Sequence, residues 1–190
     1  RPLPAIVRAA VEGGVTLVQV RDKLADTRSL LRQVRELRDT VAGTGVRLVV
    51  NDRVDVVLAA GADGVHVGQE DMPAELARRL LGPDAIVGVS CHTPEQAAAV
   101  DPEVADYIGA GPVRPTATKQ VDRLLSETQW HEIIAASRVP VIAIGGITPE
   151  NAGPLWRAGF AGLAVVSAIC GAADPRAVAR ALLAHRPNGR

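Results

Sequence analysis

The sequence is poor in aromatic residues, in sulfur-containing residues and in net charge. Only 2% of its 190 residues are aromatic, so the 47% that are hydrophobic must build a largely aliphatic core. Lysine and arginine balance aspartate and glutamate, and the formal net charge is zero. The chain therefore lacks the basic stripe and the aromatic platform that nucleic-acid binding normally needs. We expect no nucleic-acid partner.

Long apolar runs are also missing. No run reaches the length of a membrane span and no signal-peptide pattern opens the chain, so we expect a cytoplasmic protein with no membrane partner. The two cysteines, Cys91 and Cys170, are far apart and are predicted to be small, reduced core residues rather than a disulfide or metal site. The length predicts one domain over residues 1–190 and leaves self-association open.

Short apolar runs alternate with segments of helical periodicity along the whole chain. The apolar runs predict seven strands, at 15–20, 46–50, 64–67, 85–89, 105–108, 139–144 and 161–166. A helix is expected after each strand, and one further helix, 3–11, precedes the first strand. This alternation predicts an α/β fold with a parallel sheet covered by helices.

The number of strands favours a (β/α)8 TIM barrel whose first strand is missing from this chain. A barrel needs a strand before the first helix, and the simplest account is that this strand lies upstream of Arg1 or was lost. A doubly wound open sheet is the alternative. It is less favoured because no Gly-x-Gly-x-x-Gly follows the first strand and because polar residues follow nearly every strand. A barrel gathers all of these strand ends at one mouth, whereas an open sheet gathers only those at its switch point.

Polar side chains at the end of the first strand are the first candidate site residues. Strand alternation puts Gln19, Arg21 and Lys23 on one face, with Leu17 below them. Three donors would then stand in the barrel mouth. We favour a functional role over a solvated strand end, because polar groups on a central strand need partners.

Acidic residues follow the next two strands. Asp52 lies in Asn-Asp-Arg (51–53) and Asp71 ends Gln-Glu-Asp (69–71). Neighbouring strands are about 4.8 Å apart, so the two carboxylates could share a divalent ion. One or two carboxylates completed by a phosphorylated substrate describe a Mg²⁺ site. The alternative is that each aspartate caps a helix, which fits Asp71 well; we favour the metal for the pair.

A glycine- and proline-rich loop, 109–119, follows the fifth strand. Its sequence is Gly-Ala-Gly-Pro-Val-Arg-Pro-Thr-Ala-Thr-Lys. The hydroxyls of Thr116 and Thr118 beside the ammonium of Lys119 form a compact donor set for a phosphate or pyrophosphate. Taken alone, the loop fits a rigid surface connection equally well.

The remaining strand ends carry small or polar residues. Ser90 would lie above Gly88 if it points inward, whereas His92 is interpreted as a helix-start or surface residue and His66 as a packed or hydrogen-bonded core histidine. The ends of the last two strands, Gly145-Gly146 and Val166-Ser167, occupy the part of a barrel that often binds phosphate.

Seven segments, in order along the chain, resemble the thiamine-phosphate synthase family. They are Gln-Val-Arg-Asp-Lys (19–23), Asn-Asp-Arg (51–53), Gly-Val-His-Val-Gly-Gln-Glu-Asp (64–71), Ser-Cys-His (90–92), Gly-Pro-Val-Arg-Pro-Thr-Ala-Thr-Lys (111–119), Ile-Gly-Gly-Ile (144–147) and Val-Val-Ser-Ala-Ile (165–169). The third and fifth are highly specific. The resemblance implies a transferase that joins 4-amino-2-methyl-5-hydroxymethylpyrimidine pyrophosphate to thiazole phosphate, giving thiamine phosphate and pyrophosphate. It implies Mg²⁺-assisted loss of pyrophosphate and attack of the thiazole nitrogen on a pyrimidine carbocation.

The resemblance also implies roles for individual residues. The substrate-binding residues would be Gln19, Val20, Arg21, Asp22, Lys23, Asn51, Ser90, Thr116, Ala117, Thr118, Lys119, Gly146, Val166 and Ser167. The pyrimidine pyrophosphate would be bound by Gln19, Arg21, Lys23, Asn51, Ser90 and Lys119, and the thiazole phosphate by Thr116, Thr118, Gly146, Val166 and Ser167. The catalytic residues would be Arg21, Lys23, Ser90 and Lys119. The Mg²⁺ cofactor would be bound by Asp52 and Asp71.

Three features depart from the family pattern. The first barrel strand is missing, Arg114 stands where the family usually has an aromatic residue, and the segment 120–128 fits poorly and is expected to be mobile.

Two other functions stay open. A thiazole tautomerase, an isomerase on the same barrel, would need a proton-transfer residue such as His92 and no metal pair. A non-catalytic phosphate-ligand sensor would rarely need metal ligands. The intact Pro-Thr-Ala-Thr-Lys (115–119) and both aspartates favour the synthase.

Overall fold

A computed structural model describes residues 1–115 and 124–187. The strands are β1 (Leu17–Val20), β2 (Arg47–Asn51), β3 (Gly64–Val67), β4 (Ile86–Cys91), β5 (Tyr107–Ala110), β6 (Val141–Ile144) and β7 (Gly162–Ala164). The helices are α1 (Leu3–Glu12), α2 (Thr27–Val41), α3 (Val54–Ala60), α4 (Ala74–Leu81), α5 (Pro94–Ala99), α6 (Glu127–Ala136), α7 (Pro149–Ala158), α8 (Ser167–Cys170) and α9 (Pro175–Leu183). All seven expected strands are present, and only the one-turn helix α8 was not predicted.

The strands form one curled parallel sheet in sequence order, from β1 to β7. Each strand pairs in parallel with the next along the chain. This order excludes a doubly wound sheet, whose strand order reverses at a switch point. The predicted α/β, TIM-barrel-like fold is confirmed. Within the described residues no ladder joins β7 to β1, and α1 contacts both α2 and α9 beside this seam.

The main core lies between the outer face of the sheet and the helices, and it is aliphatic as predicted. α2 shows how the helices are attached: Asp26 caps it by accepting from Ser29 N, and a stripe of apolar residues faces the sheet. The buried members of that stripe are Leu30, Val34, Leu37 and Val41. Full burial of each such side chain contributes about 1.5–3 kcal/mol.

Paired acidic and basic residues stabilise the register at the amino ends of two strands. The Asp63 carboxylate accepts a 2.7 Å hydrogen bond from Leu48 N and pairs with Arg47 at 2.9 Å. In the same way the Asp106 carboxylate accepts from Val87 N at 2.7 Å and from an Arg78 guanidinium nitrogen at 2.8 Å. Strand register decides which side chains point inward, so these contacts also position the opposite end of the sheet.

The two cysteines have different environments. Cys91, in β4, is fully buried, and burial raises the pKa of its thiol to about 11. Cys170 ends α8 and is exposed, so the prediction that both cysteines are core residues is wrong for this one. Residue 170 was expected in the core because the short helix α8, which follows β7 within a few residues, was not predicted. Both cysteines are free, as predicted. No helix in the described part of the chain is long and apolar enough to cross a membrane.

These environments predict selective thiol chemistry. In the folded protein a thiol reagent should modify Cys170 alone, because Cys91 is inaccessible and its thiolate is disfavoured by burial. Titration with a chromogenic disulfide should give one equivalent in buffer and two in denaturant. In a Cys170→Ser variant the native signal should disappear; two fast equivalents in the folded protein would contradict the packing of β4.

Candidate active site

The carboxyl ends of the parallel strands meet at one face of the sheet, and most predicted site residues lie there. Lys23 follows β1, Asp52 follows β2, Asp71 lies in the loop after β3, and Ser90 is near the end of β4. Gln19 lies lower, within β1. The strand ends therefore gather basic, acidic and hydroxyl groups in one mouth.

Two carboxylates and one ammonium form a cluster at this mouth. The Asp52 and Asp71 carboxylates are close enough that Asp71, together with burial, raises the pKa of Asp52. Lys23 Nζ lies 3.1 Å from Asp52 Oδ2. The structure thus brings together the predicted metal pair and one of the predicted cations.

Local backbone geometry aims both carboxylates into the cluster. Asp52 has a left-handed φ of 62°, the only such value at a non-glycine residue that the described chain shows. Aspartate tolerates this conformation better than most residues. The Asp71 carboxylate accepts a 2.8 Å hydrogen bond from Gly68 N, and a Cβ at residue 68 would lie 2.8 Å from the same oxygen. Glycine at 68 therefore allows the carboxylate to close this turn.

Neither carboxylate caps a helix. The N-cap of α3 is Arg53 and that of α4 is Pro73, and neither helix has a side-chain cap hydrogen bond. The helix-cap alternative for Asp52 and Asp71 is therefore not what the structure shows.

The negative charge of this cluster lowers the stability of the folded protein. The pKa of Asp52 is raised by burial and by the neighbouring Asp71, and Lys23 only partly opposes this. Because the folded-state pKa lies above the unfolded value, the native state loses stability as pH rises and Asp52 ionises. A bound divalent cation would remove this repulsion.

The pair has the right chemistry for magnesium. Asp52 and Asp71 offer a cation two neighbouring carboxylates, and among the described residues they are not part of a larger group of metal-binding side chains. Mg²⁺ is commonly held by one or two carboxylates, with water and substrate phosphate oxygens completing its shell. The donor set therefore fits Mg²⁺ rather than a closed structural metal site.

A chain of hydrogen bonds runs through the sheet interior below the mouth. Tyr107 Oη lies 3.0 Å from His66 Nδ1, and His66 Nε2 lies 3.0 Å from Ser90 Oγ. Burial raises the pKa of Tyr107, and the nearby Gln19 side chain partly opposes this rise. His66 is thus a hydrogen-bonded core residue, as predicted. Tyr107 was missed, although it shares a strand face with Gly109 and is the single tyrosine of the sequence.

Glycine makes room for this chain of hydrogen bonds. Register places His66 beside Gly88 and Gly88 beside Tyr107, so the three share one level of the interior. A Cβ at residue 88 would clash with the Tyr107 ring and lie 2.6 Å from His66 Nδ1. Gly88 thus lies one level below Ser90, which points inward to His66, as the strand alternation predicted.

The other predicted residues of segment 19–23 have varied surroundings. Val20 is buried in the core, so it can offer a ligand only its backbone. The Asp22 carboxylate accepts from Leu24 N and Ala25 N, both at 3.1 Å, and shapes the loop after β1. Arg21 is exposed and makes no hydrogen bond or ion pair with another described residue. Its guanidinium is available to an anionic ligand.

The last two strand ends supply backbone rather than charged groups. Gly145 and Gly146 have φ values of 99° and 64°. A Cβ at residue 146 would clash with the Pro115 carbonyl, so the turn after β6 packs against the last described residues of the predicted phosphate loop. Exposed Val166 and Ser167 lie at the beginning of α8. The predicted residues Thr116, Ala117, Thr118 and Lys119 lie outside the described residues, as do positions 120–123.

Arg114 contacts residues of α6 and so holds the loop after β5 in place; within the described chain it makes no contact with the charged cluster at the mouth. Its guanidinium carbon lies 5.1 Å from the centre of the Trp130 ring, and it is 3.8 Å from Glu127. A cation over an indole contributes about 0.5–1 kcal/mol at exposed sites. Leu125, in the described part of segment 120–128, is buried and donates from its N to Pro112 O at 2.9 Å.

His92 behaves as a helix-start residue, as predicted. Its N donates to Gln96 Oε1 at 2.7 Å, and its Nδ1 lies 2.8 Å from Gly111 O. A carbonyl can only accept, so Nδ1 carries the proton in this contact. That nitrogen is occupied, which weakens the case for His92 as the proton-transfer residue of an isomerase.

An α/β barrel-like fold that gathers cations and carboxylates at the carboxyl ends of its strands has the arrangement of a barrel enzyme, because the active sites of this fold lie at that face. The comparisons with known proteins are more specific. The family model described as thiamine monophosphate synthase matches residues 1–169. The thiamine-phosphate synthase of Vibrio parahaemolyticus is 46% identical over 188 residues, which cover 95% of this chain and 89% of that protein.

Two further relatives support the same family assignment. A thiamine phosphate pyrophosphorylase from Pyrococcus furiosus superposes with a TM-score of 0.86 at 40% identity, over 96% of this chain and 88% of that one. A thiamine biosynthetic bifunctional enzyme of Arabidopsis thaliana is 48% identical over 172 residues. This match covers 89% of the chain but spans only 33% of that longer protein. The chain belongs to the thiamine monophosphate synthase family, whose members are transferases of thiamine biosynthesis.

Gly88→Ala tests the interior packing. The added methyl group would collide with the Tyr107 ring and His66, so we expect a loss of about 1–3 kcal/mol of unfolding free energy. Chemical denaturation would measure it. The matched control is Gly153→Ala in α7, where the new Cβ meets only flexible side-chain atoms beyond 3 Å. That change should be neutral or stabilising; equal losses in both variants would contradict the interior assignment.

Proposed function

We propose that this chain condenses 4-amino-2-methyl-5-hydroxymethylpyrimidine pyrophosphate with thiazole phosphate, giving thiamine phosphate and pyrophosphate. Membership of the family supports the reaction. The observation that carries the proposal is the cluster of Asp52, Asp71 and Lys23 at the mouth, since it joins paired carboxylates to a cation. Such a combination can neutralise the negative charge of a pyrophosphate leaving group, which is the charge that this reaction must stabilise.

The two substrates would use different parts of the mouth. The side of β1 to β4 would bind the pyrimidine pyrophosphate through Gln19, Arg21, Lys23, Asn51 and Ser90, with Lys119. The ends of β6 and β7 would bind the thiazole phosphate through Gly146, Val166 and Ser167, with Thr116 and Thr118. The charged residues near β1 and β2 suit the more highly charged ligand. The loop after β5 connects the two parts, as its contact with Gly146 supports.

Asp52 and Asp71 would hold Mg²⁺ at this site, in keeping with the repulsion between them. When bound, the ion supplies positive charge that stabilises the pyrophosphate leaving group. Lys23 lies beside the pair and the exposed Arg21 follows β1, so both can approach the same anion.

The protein's own cations would lower the barrier by favouring charge separation. Loss of pyrophosphate from an aminopyrimidine methylene leaves a resonance-stabilised cation. Arg21 and Lys23 would then face more localised negative charge than in the ground state, the condition for electrostatic catalysis. One unit-charge contact at about 4 Å is worth about 4 kcal/mol at an effective dielectric near 20. The attacking thiazole nitrogen carries no proton, so the reaction needs no general base.

Direct synthesis is the first test. Purified protein mixed with Mg²⁺ and both heterocycles should form thiamine phosphate and pyrophosphate in equal amounts, detected by chromatography. Omitting either heterocycle is the control. Absence of product at stoichiometric enzyme would reject the proposed function.

Asp71→Asn tests the carboxylate pair. The amide keeps an acceptor for Gly68 N and removes one negative charge, so without metal the variant should melt at the same temperature as the parent or higher. Added Mg²⁺ should raise the melting temperature of the parent but not that of the variant.

The matched control is Asp39→Asn, which removes an exposed carboxylate from α2. It should keep the full Mg²⁺ response. If Asp71→Asn responds to Mg²⁺ as the parent does, the pair is not the metal site.

A further inference from the structure

The chain reverses direction at Asp52 within a single residue. Asp52 N donates to His66 O at 2.8 Å, at the end of the β2–β3 ladder, and Arg53 N then donates back to Asn51 O at 2.8 Å. A hydrogen bond between residues two apart, with a φ of 62° at the residue between them, describes a γ-turn with a positive central φ. Such turns are rare, and a left-handed conformation is strained at any residue that has a Cβ.

The strained residue carries one of the two predicted metal ligands. In this conformation the Asp52 carboxylate lies 3.1 Å from Lys23 Nζ and close to Asp71, the other half of the predicted metal pair. An extended residue 52 would instead continue β2 and send its side chain in another direction. A strained backbone persists only where the surrounding structure fixes it. The contacts of the next residue therefore decide whether the carboxylate stays in the cluster.

That next residue, Arg53, joins the turn to the first turns of two helices. Its guanidinium binds the Asp55 carboxylate at two points, with 2.9 Å from Nε to Oδ1 and 2.6 Å from Nη2 to Oδ2. Nη2 also donates to Thr27 Oγ1 at 2.9 Å. Asp55 lies in the first turn of α3, and Thr27 is the first residue of α2. One side chain thus connects both helices at the carboxyl face of the sheet.

The same side chain connects the two loops that bear the charged cluster. Lys23 lies in the loop between β1 and α2, which leads into Thr27, and Asp52 lies in the connection between β2 and α3. The Arg53 carbonyl also begins α3, because it accepts from two N–H groups of that helix at 3.1 Å. A change of the backbone at residue 52 would therefore disturb contacts of both the side chain and the carbonyl of Arg53.

These contacts fix an orientation more than they add stability. The side chains of Arg53 and Asp55 are 36% and 61% exposed. Exposed ion pairs contribute little to the free energy of unfolding. A two-point contact between a guanidinium and a carboxylate nevertheless restricts both groups to one geometry. The effect of Arg53 should therefore be seen in the position of its neighbour rather than in global stability.

We propose that Arg53 is a positioning residue: by binding Asp55 and Thr27, it holds residue 52 in its left-handed turn. It thereby keeps the Asp52 carboxylate beside Asp71, where the pair can bind a divalent cation. Arg53 acts through the backbone of its neighbour. The consequence for the cation rests on the proposed function, whereas the effect on the turn does not.

Two substitutions of Asp52 measure the turn in metal-free buffer. Glycine accepts a left-handed φ and alanine resists it, so the unfolding equilibrium constant of Asp52→Ala should be about tenfold larger than that of Asp52→Gly. When Arg53→Gln is added to both, the turn can relax, and this ratio should fall to about twofold or less. Chemical denaturation gives the four constants. A ratio that stays near its original value would overturn the proposal.

Mg²⁺ affinity measures the consequence for the cluster. The rise of the melting temperature with Mg²⁺ concentration gives the dissociation constant. Arg53→Gln should bind Mg²⁺ about tenfold more weakly than the parent, the effect of losing a residue that orients a metal ligand. Electrostatics alone predicts the opposite, because loss of a positive charge beside the carboxylates favours a cation. Affinity equal to that of the parent, or tighter, would contradict the positioning role.

Arg38→Gln is the matched control. Arg38 also joins α2 to α3, since its Nη1 donates to Ala60 O at 2.6 Å, but it does so at the opposite ends of the two helices. It should leave the Mg²⁺ affinity and the ratio of the two Asp52 variants unchanged. Equal effects of both arginine substitutions would assign the result to helix packing and reject the proposal. If the ratios follow the expectation but the parent shows no Mg²⁺ response, the proposed metal site fails and the positioning of Asp52 is supported.

Discussion

The in-register hydrogen bonding of seven parallel strands controls where every polar group at the mouth can lie. Because the ladder runs without reversal from β1 to β7, the carboxyl ends of all strands face the same side. Residues that follow neighbouring strands, such as Asp52 and Asp71, are thereby brought within reach of each other. At the opposite end, Asp63 and Asp106 bind backbone N–H groups of adjacent strands. A slip of one residue in a strand would move the inward side chains of that strand to the outer face of the sheet.

The same ladder produces two kinds of electrostatic environment a few residues apart. At the mouth, the Asp52 and Asp71 carboxylates are neighbours, and their repulsion lowers the stability of the native state. The ammonium of Lys23 offsets part of this repulsion. Below the mouth, His66 and Tyr107 lie 3.0 Å apart in a hydrogen bond between two ring side chains of the sheet interior. Carboxylates and an ammonium thus gather at the strand ends, and an imidazole and a phenol lie beneath them. Proteins commonly accept lost stability at functional sites in this way.

Most of the fold and part of the site could be predicted from the sequence. Strand alternation and helix periodicity are local patterns, and they located all seven strands and the helices except one-turn α8. The adjacency of Asp52 and Asp71 followed from strand order alone. Tyr107 could not be found in this way, because the nearby Gln19 side chain belongs to a strand four places away in the sheet and their proximity depends on how the sheet curls. Cys170 was misplaced because a single turn of helix has too few residues to show periodicity.

The seam between β1 and β7 is the one place in the described sheet where helices and not a backbone ladder join neighbouring parts of the fold. Within the described residues β1 and β7 are each hydrogen-bonded to one neighbouring strand, while α1 contacts both α2 and α9 beside the seam. Val7 and Ala10 are the buried residues of α1. Side-chain packing of one helix therefore replaces backbone hydrogen bonding at this point, and the spacing between the two ends of the described sheet depends on the volume of those side chains.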